Sequence, residues 1–244
     1  MASIKLKLPQ AAQNAQEPIT HSDGPIVTGT SVLGIKYKDG IMVAADCLAS
    51  YGSLARFRDV NRLQAFGERT IIGASGDIGD FQYVQDELEK LMIKDFCLAD
   101  GHELATPHVY SYLHRLLYSR RSEMKPLWNS YVVGGVHSSS SQRFLGYVDL
   151  LGTTYQSSTI ATGFGAHLAQ PLLRKAVEGR EDTLTEEEAV KILDDCMRVL
   201  FYRDARSLNR IRRAKVTKDG MEVTDPYSLE TEWAFAEHIV GYGA

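Results

Sequence analysis

Two residues near the start of the chain have the types and the setting for nucleophilic chemistry. Thr30 follows Gly29, and a Gly-Thr bond can be a cleavage junction that frees a threonine as a new N-terminus. A threonine whose own α-amine serves as its base is one of the known activated nucleophiles. Asp46 ends a nearly unbroken apolar run, where a buried carboxylate needs a cation or hydrogen-bond donors. The two residues indicate a candidate threonine site, provided that the bond before Thr30 is cut.

A predicted β-hairpin positions both residues. The apolar runs 32–37 and 41–45 flank Asp39-Gly40, a strong hairpin signal, because a type I′ turn needs positive φ at both central positions. The second run has almost no polar alternation, which predicts a strand covered on both faces. The simplest structural role for Thr30 is then that of a β-branched residue at a strand edge, and Asp46 would cap a strand end.

The remaining pattern predicts strands, two helices, strands, two helices and final strands. A buried strand is predicted at 69–74, after which Ser75-Gly76-Asp77 begins a helix with apolar residues at three- and four-residue spacing. A second helix is predicted from Pro107 with Thr106 as its N-cap, and a capping box at Thr185 to Glu188 opens a long helix. This order predicts two sheets packed face to face with a helix pair outside each, an α+β layered domain.

Composition limits the class of protein. The chain has 244 residues, of which 44% are hydrophobic, and its formal net charge of −4 comes with no basic stripe of the kind that binds nucleic acid. Cys47, Cys97 and Cys196 are odd in number and far apart, which favours a reduced cytosolic or nuclear protein. No apolar run approaches the length of a membrane span, and residues 1–9 lack the apolar core of a secretory signal.

Other motifs have simpler interpretations. His102, His108 and His114 are six residues apart, so they do not share a helical face, and no carboxylate pattern completes a metal site. The segment Gly73 to Gly79 lacks the Gly-Lys-Ser/Thr ending of a phosphate loop and predicts a strand-to-helix turn. Cys47 is expected to pack as a small apolar residue rather than to react. We expect neither a metal nor an organic cofactor.

Six short motifs, in order, carry a resemblance to a known family. The chain resembles a 20S proteasome beta subunit over roughly residues 25–240, which implies the four-layer αββα sandwich of the N-terminal-nucleophile hydrolase type. The motifs are Gly-Thr with the Asp-Gly hairpin and Val-Ala-Ala-Asp, Tyr51-Gly-Ser-Leu-Ala-Arg-Phe57, Gly73-Ala-Ser-Gly-Asp77, Pro126-Leu-Trp-Asn129, Gly146-Tyr-Val-Asp-Leu-Leu-Gly152 and Tyr202-Arg-Asp-Ala-Arg-Ser207.

The resemblance also implies a degenerate catalytic site. Thr30 holds the position of the family's nucleophile. In this chain, however, Arg62 replaces the family's lysine, Ala166 replaces a supporting serine, and Leu208 replaces a glycine. A guanidinium stays protonated and can donate two parallel hydrogen bonds to a carboxylate. Arg62 is therefore expected to form a structural ion pair with Asp46. The positions carried over from the family are Thr30, Asp46, Arg62, Ala166, Asp204 and Ser207. We expect this site to be inactive.

The ends of the chain are predicted to differ from the domain between them. Residues 1–21 are polar and rich in glutamine, and the resemblance implies a propeptide that is partly removed by a cut near Ser22. The stretch 22–28 would then stay attached, and Thr30 would have no free α-amine. Residues 22–232 form one domain, and 233–244 form a C-terminal interface tail with the apolar residues Trp233, Phe235, Ile239 and Tyr242.

The resemblance implies a non-catalytic structural beta subunit of the 20S core particle, in ATP- and ubiquitin-dependent protein degradation. Its partners would be beta subunits of the same and the opposite ring and alpha-ring subunits, without nucleic acid or membrane, in the cytoplasm and nucleus. One alternative is an active threonine endopeptidase subunit with Thr30 as N-terminal nucleophile. Another is a free-standing domain outside the proteasome.

Overall fold

Two antiparallel β-sheets packed face to face form the middle of the protein, as a computed structural model shows it. The structure describes residues 24–98, 104–137 and 141–241. The predicted leader and its cut near Ser22, the histidine at 102 and the aromatic residue at 242 lie outside the described residues. Residues 138–140 lie outside them as well.

In the part of the chain that the structure describes, eight strands form the first sheet and five form the second. The first has the order β10-β9-β8-β7-β1-β4-β5, with β6 also pairing with β7. Its strands are β1 Val27–Gly29, β4 Ala49–Tyr51, β5 Leu54–Phe57, β6 Leu63–Phe66, β7 Thr70–Asp77, β8 Asn129–Val136, β9 Arg143–Val148 and β10 Thr154–Gln156. The second, in the order β11-β2-β3-β12-β13, contains β2 Val32–Tyr37, β3 Gly40–Asp46, β11 Thr159–Ala161, β12 Ile211–Thr217 and β13 Gly220–Val223.

Within the described residues, five α-helices cover the outer faces of the two sheets. They are α1 Ile78–Leu98, α2 Thr106–Ser122, α3 Gly165–Leu168, α4 Gln170–Val177 and α5 Glu186–Arg203. One buried cluster joins α1 and α2 to the first sheet, a second joins α4 and α5 to the second sheet, and a third lies between the sheets. The layers therefore run helix, sheet, sheet, helix, and the predicted four-layer αββα sandwich is confirmed.

The β2–β3 hairpin is confirmed, but the reason for its glycine is different. Tyr37 pairs with Gly40, so the two turn residues are Lys38 and Asp39, and neither has positive φ. The type I′ prediction was wrong. A Cβ on Gly40 would lie 2.0 Å from the carbonyl oxygen of Val216, so this glycine allows the close approach of β12 rather than a left-handed turn.

Strand β3 is buried on both faces, as its sequence predicts. Ile41, Val43 and Ala45 belong to the cluster between the sheets, whereas Met42 and Ala44 belong to the cluster under α4 and α5. Because successive strand residues point to opposite faces, a strand between two apolar layers needs no polar alternation.

Two predicted boundaries were wrong by a few residues. Strand β7 continues through Asp77, and α1 begins at Ile78 rather than at Ser75. The N-cap of α2 is Ala105, whereas Thr106 lies inside the helix and its hydroxyl bonds to that of Thr70 at 2.7 Å. The Thr106 side chain, which was predicted to cap the helix, instead forms a tertiary hydrogen bond with Thr70. None of the described helices is long and apolar enough to cross a membrane.

Candidate functional site

The residue before the candidate nucleophile belongs to a strand in the middle of a sheet. Strand β1 lies between β4 and β7, with Thr28 opposite both Ser50 and Asp77. Thr30 itself lies between β1 and β2, so the expectation that it would be a strand-edge residue was wrong. Its nitrogen is part of the peptide bond to Gly29 in this chain. Thr30 can use its own α-amine as a base only if the Gly29–Thr30 bond is cut. That bond adjoins β1, a strand that is paired on both sides.

The hydroxyl of Thr30 is hydrogen-bonded to a carboxylate. Its Oγ1 donates to Oδ2 of Asp204 at 2.5 Å, and the backbone N–H of Arg206 donates to Oδ1 of the same group at 2.8 Å. Asp204 is the C-cap of α5, so the end of this helix positions it against the β1–β2 junction. The structure thus brings together two of the positions predicted from the sequence.

The guanidinium of Arg62 holds the strands beneath Thr30 together. It has five N–H donors, and each one has an acceptor. Two of the acceptors belong to Asp46, its carbonyl oxygen at 3.0 Å and its carboxylate Oδ1, which confirms the predicted ion pair. The other three are the carbonyl oxygens of Thr30 at 2.8 Å, Ser31 at 3.0 Å and Ala74 at 3.1 Å. The side chain is fully buried and joins β3 and β7 to the segment between β1 and β2.

Asp46 is as enclosed as its partner. Its carboxylate accepts from Arg62 through Oδ1 and from the backbone N–H of Leu208 at 2.9 Å through Oδ2. Burial raises the pKa of the Asp46 carboxyl, and the Arg62 guanidinium and the Leu208 amide oppose that rise. Both carboxylate oxygens have donors, so the charge is stabilised in place and the group is not exposed to a substrate.

The packing around Arg62 also explains the glycine before Thr30. A Cβ on Gly29 would lie 2.4 Å from Cδ of Arg62 and 3.0 Å from its Nε. Gly29 does not have positive φ, so the requirement is steric. The Gly-Thr step, which the sequence offered as a cleavage junction, is in this structure a place where the backbone passes close to a buried arginine.

The other predicted site residues serve local roles. Ser207 donates through Oγ to the carbonyl oxygen of Asp204 at 2.7 Å and so supports the end of α5. Ala166 is exposed on the short helix α3. Leu208 contacts the site through its backbone N–H, which donates to the carboxylate of Asp46.

Sequence reasoning missed two residues that bind the layers near Thr30. The hydroxyl of Ser31 accepts from the backbone N–H of Gly165 at 2.8 Å, which ties the start of α3 to the β1–β2 segment. The hydroxyl of Thr162 accepts from the N–H of Val32 at 2.8 Å. Their partners are more than 100 residues away in the sequence, so no local pattern could have identified them.

A cleft with a volume of about 350 Å³ opens beside Thr30. Trp128, Leu150 and Phe164 give it apolar walls, and Arg206 lies at its edge. Such a cleft could hold a side chain of an extended peptide. The lysine that the family places by the nucleophile is, however, replaced by Arg62, whose N–H donors all have acceptors. Among the described residues, no three His, Cys, Asp or Glu side chains lie close enough to hold a metal ion.

A second surface lies at the C-terminal end, beyond Leu229. Trp233 packs edge-on against Tyr202 of α5 with ring centroids 5.0 Å apart, and stacks with Phe235 at 6.0 Å. Half of the Trp233 surface is exposed to solvent, and Phe235 and Ile239 are exposed to 61% and 68%. Exposed apolar groups in such a cluster are typical of protein interfaces.

Comparison with known proteins agrees with this architecture. The profile of the family described as "Proteasome subunit" matches residues 26–216. Proteasome subunit beta type-4 of Xenopus laevis is 51% identical over 225 residues, which cover 92% of each chain. A probable proteasome subunit beta type-7 of Schizosaccharomyces pombe is 49% identical and covers 96% of this chain and 90% of its own length. Proteasome subunit beta type-7 of Saccharomyces cerevisiae is 46% identical, with coverage of 96% and 91%.

Proposed function

The chain belongs to the proteasome subunit family, as a beta subunit, and on that premise we propose that it is a structural member of the beta ring whose own threonine site is inactive. Its role is to complete the ring of the 20S core particle and to wall the chamber in which other subunits cut. The particle acts in ATP- and ubiquitin-dependent protein degradation.

The full engagement of Arg62 carries this proposal. A catalytic cation beside a nucleophile must respond to proton transfer, and a lysine can do so because burial and neighbours shift its pKa. Arg62 stays protonated, and all five of its donors are used by Asp46 and three backbone carbonyl groups. It can hold strands together, but it cannot exchange a proton with Thr30.

The neighbours of the subunit follow from the same proposal. It contacts beta subunits of its own ring and of the opposite ring, and subunits of the alpha ring. The exposed apolar cluster around Trp233 and Phe235 supports such contacts, because a single domain gains little from aromatic rings left in water. The subunit works in the cytoplasm and nucleus, which the free thiols of Cys47, Cys97 and Cys196 support.

The intact mass of this chain in purified native particles tests the proposal. We expect a mass that begins near Ser22, which would leave Thr30 in a peptide bond and without an α-amine. A mass that begins at Thr30 would show that the Gly29–Thr30 bond is cut. That result would overturn the proposal and favour an active threonine endopeptidase, for which the Thr30–Asp204 hydrogen bond is the supporting observation.

A substitution provides an independent test. Particles that carry Thr30→Ala in this subunit should keep the peptidase activities of unmodified particles, because the hydroxyl attacks no substrate. An electrophile that needs both a threonine hydroxyl and a free α-amine should label other subunits and leave this chain unlabelled. Labelling that disappears with Thr30→Ala would contradict the proposal. A free-standing domain would instead elute as a small particle in size exclusion of native extract.

A further inference from the structure

The first sheet ends in a strand whose outer edge is open. Strand β5 pairs with β4, and no strand in the described part of the chain pairs with its other side. Because the backbone groups of an edge strand point alternately toward its partner and away from it, β5 directs N–H and C=O groups outward. At the opposite end of the sheet, the carbonyl oxygen of Tyr155 in β10 accepts from the hydroxyl of Tyr110 at 3.2 Å. An open edge lets an extended segment of another chain join the sheet as a further strand.

Three large apolar side chains lie in solvent at this edge. Tyr51, Leu54 and Phe57 are exposed to 56%, 55% and 48%. Tyr51 pairs with Leu54, and after a register shift Ala49 pairs with Phe57. Because Ala49 and Tyr51 are two residues apart on β4 and paired residues share a face, the shift keeps the two apolar side chains of β5 on one face. Charged side chains commonly protect an edge strand, whereas exposed apolar side chains on it favour a partner.

Arg56 and Arg58 give this edge a positive charge. Both are exposed, and neither forms an ion pair with a residue that the structure describes. The guanidinium of Arg56 lies 5.5 Å from the ring centroid of Phe57, so the charge adjoins the apolar surface. Asp59, the acidic residue that follows, already lies near two other arginine side chains, at 3.6 and 3.7 Å. The edge is therefore complementary to a partner that carries carboxylates.

One kind of occupant satisfies the backbone, the apolar face and the charge together. We propose that an extended, acidic segment of a neighbouring proteasome subunit adds a strand to the outer edge of β5. Its carboxylates lie on Arg56 and Arg58, and its apolar side chains lie on Leu54 and Phe57. Backbone hydrogen bonds hold the added strand, and the side chains select it.

This inference rests on the proposed function, because membership of a ring is what brings another subunit to the edge. It does not depend on whether Thr30 is active, since it uses none of the hydrogen bonds of Arg62. The two proposals can therefore fail separately. An intact mass that begins at Thr30 would overturn the inactive site and leave the strand addition standing.

Photo-crosslinking in assembled particles tests where the partner lies. Benzoylphenylalanine in place of Leu54, and separately in place of Arg56, should link this chain to the same stretch of one other subunit. That stretch should contain carboxylates. The control places benzoylphenylalanine at Thr154, an exposed residue of the terminal strand at the other end of the sheet, and it should not link to that stretch. Links from β5 to residues 1–23 of this chain, to an acid-free stretch or to no subunit would overturn the proposal.

Hydrogen exchange tests whether the partner forms backbone bonds. The outward-facing amides of β5 should exchange at least about tenfold more slowly in particles than in the free full-length chain. Protection of the β3 amides in both samples shows that the free chain is folded. A partner held by side chains alone would leave the exchange of β5 unchanged, and that result would overturn strand addition.

Charge reversal tests whether the partner is acidic. Arg56→Glu with Arg58→Glu should lower the yield of particles containing this chain several-fold, because carboxylates would then face carboxylates. The matched control is Lys38→Glu with Lys218→Glu, which reverses as many charges at two exposed hairpin turns on the other sheet. If both double variants assemble like the wild type while the intact mass still begins near Ser22, the proposed function stands and this inference fails.

Discussion

The surroundings of Arg62 and the segment beyond Leu229 use their side chains in opposite ways. Around Arg62 each donor of a buried cation has an acceptor, and both oxygens of the facing carboxylate have donors. Beyond Leu229 the largest apolar side chains lie partly or mostly in solvent. The first region contributes to the fold of this chain alone, whereas the second contributes little until something covers it.

Under the proposed function, the contrast explains how a nucleophile position can be retained without its chemistry. A buried ion pair is expensive to desolvate, and it is tolerated when further hydrogen bonds satisfy both partners. Here those bonds come from backbone groups of Thr30 and Ser31, of Asp46 and Ala74, and of Leu208, so the arrangement joins strands. Substitutions should therefore lower the free energy of unfolding most around Arg62 and less toward the C-terminal end.

Arg62→Ala should have the largest effect on stability. It leaves the Asp46 carboxylate buried without its cation and four backbone carbonyl groups without their Arg62 donors, so we expect a loss of about 3–5 kcal/mol in the free energy of unfolding. Urea unfolding of the full chain measures it. The control is Arg210→Ala, since Arg210 is an exposed arginine that lies 3.6 Å from Asp59 and should contribute less than about 1 kcal/mol.

Arg62→Lys sharpens the same prediction. A lysine has only three donors, whereas five acceptors surround the planar guanidinium of Arg62. The free energy of unfolding should therefore still fall by about 1–3 kcal/mol, although the charge is kept. Under the proposed function, restoring the family's lysine should not create activity, because Thr30 would still be in a peptide bond. A lysine variant as stable as the wild type would show that the charge alone, and not the fork, holds the strands.

Gly29→Ala should have the next largest effect. The new methyl group would lie 2.4 Å from Cδ of Arg62, and either β1 or the guanidinium must move. Overpacking of this kind costs about 1–3 kcal/mol, which thermal unfolding would detect. Gly24→Ala is the matched control, because no atom lies within 4 Å of the corresponding Cβ position. Equal melting temperatures for the two variants would mean that Arg62 is not as firmly held as the hydrogen bonds indicate.

The sequence predicted the layers better than it predicted the site's contacts. Apolar periodicity located β2, β3, α1 and α5, because burial on one or both faces leaves a repeating pattern in a single segment. The Asp46–Arg62 pair was predictable only through the resemblance to a family. Sequence alone could not predict that Gly29 makes room for Arg62. Nor could it predict that the carbonyl groups of Ser31 and Ala74 accept from Arg62, because backbone acceptors have no sequence signature.

Asn209→Ala should have an intermediate effect, since this residue lies at the boundary of the two regions. Its side chain donates to the carbonyl oxygen of Leu229 at 2.8 Å and accepts from the N–H of Leu229 at 2.9 Å. Losing both bonds should cost about 1–2 kcal/mol and speed hydrogen exchange at the Leu229 amide. Asn209→Asp keeps only the acceptor, so it should fall between the wild type and the alanine variant. If both variants exchange like the wild type, the C-terminal segment is held by its apolar contacts alone.

Trp233→Ala should have the smallest effect on the isolated chain and a clear effect on assembly. The indole loses its contacts with Tyr202 and Phe235, but half of it is already in solvent, so the free energy of unfolding should fall by about 1 kcal/mol or less. The yield of complete particles containing the variant should fall several-fold, because an aromatic anchor contributes most when an interface covers it. Glu237→Ala, in the same exposed segment, removes a charge and no aromatic surface, and its particle yield should be unchanged. If Trp233→Ala destabilised the chain as much as Gly29→Ala and left assembly intact, the tail would belong to the fold, and the contrast between the two regions would fail.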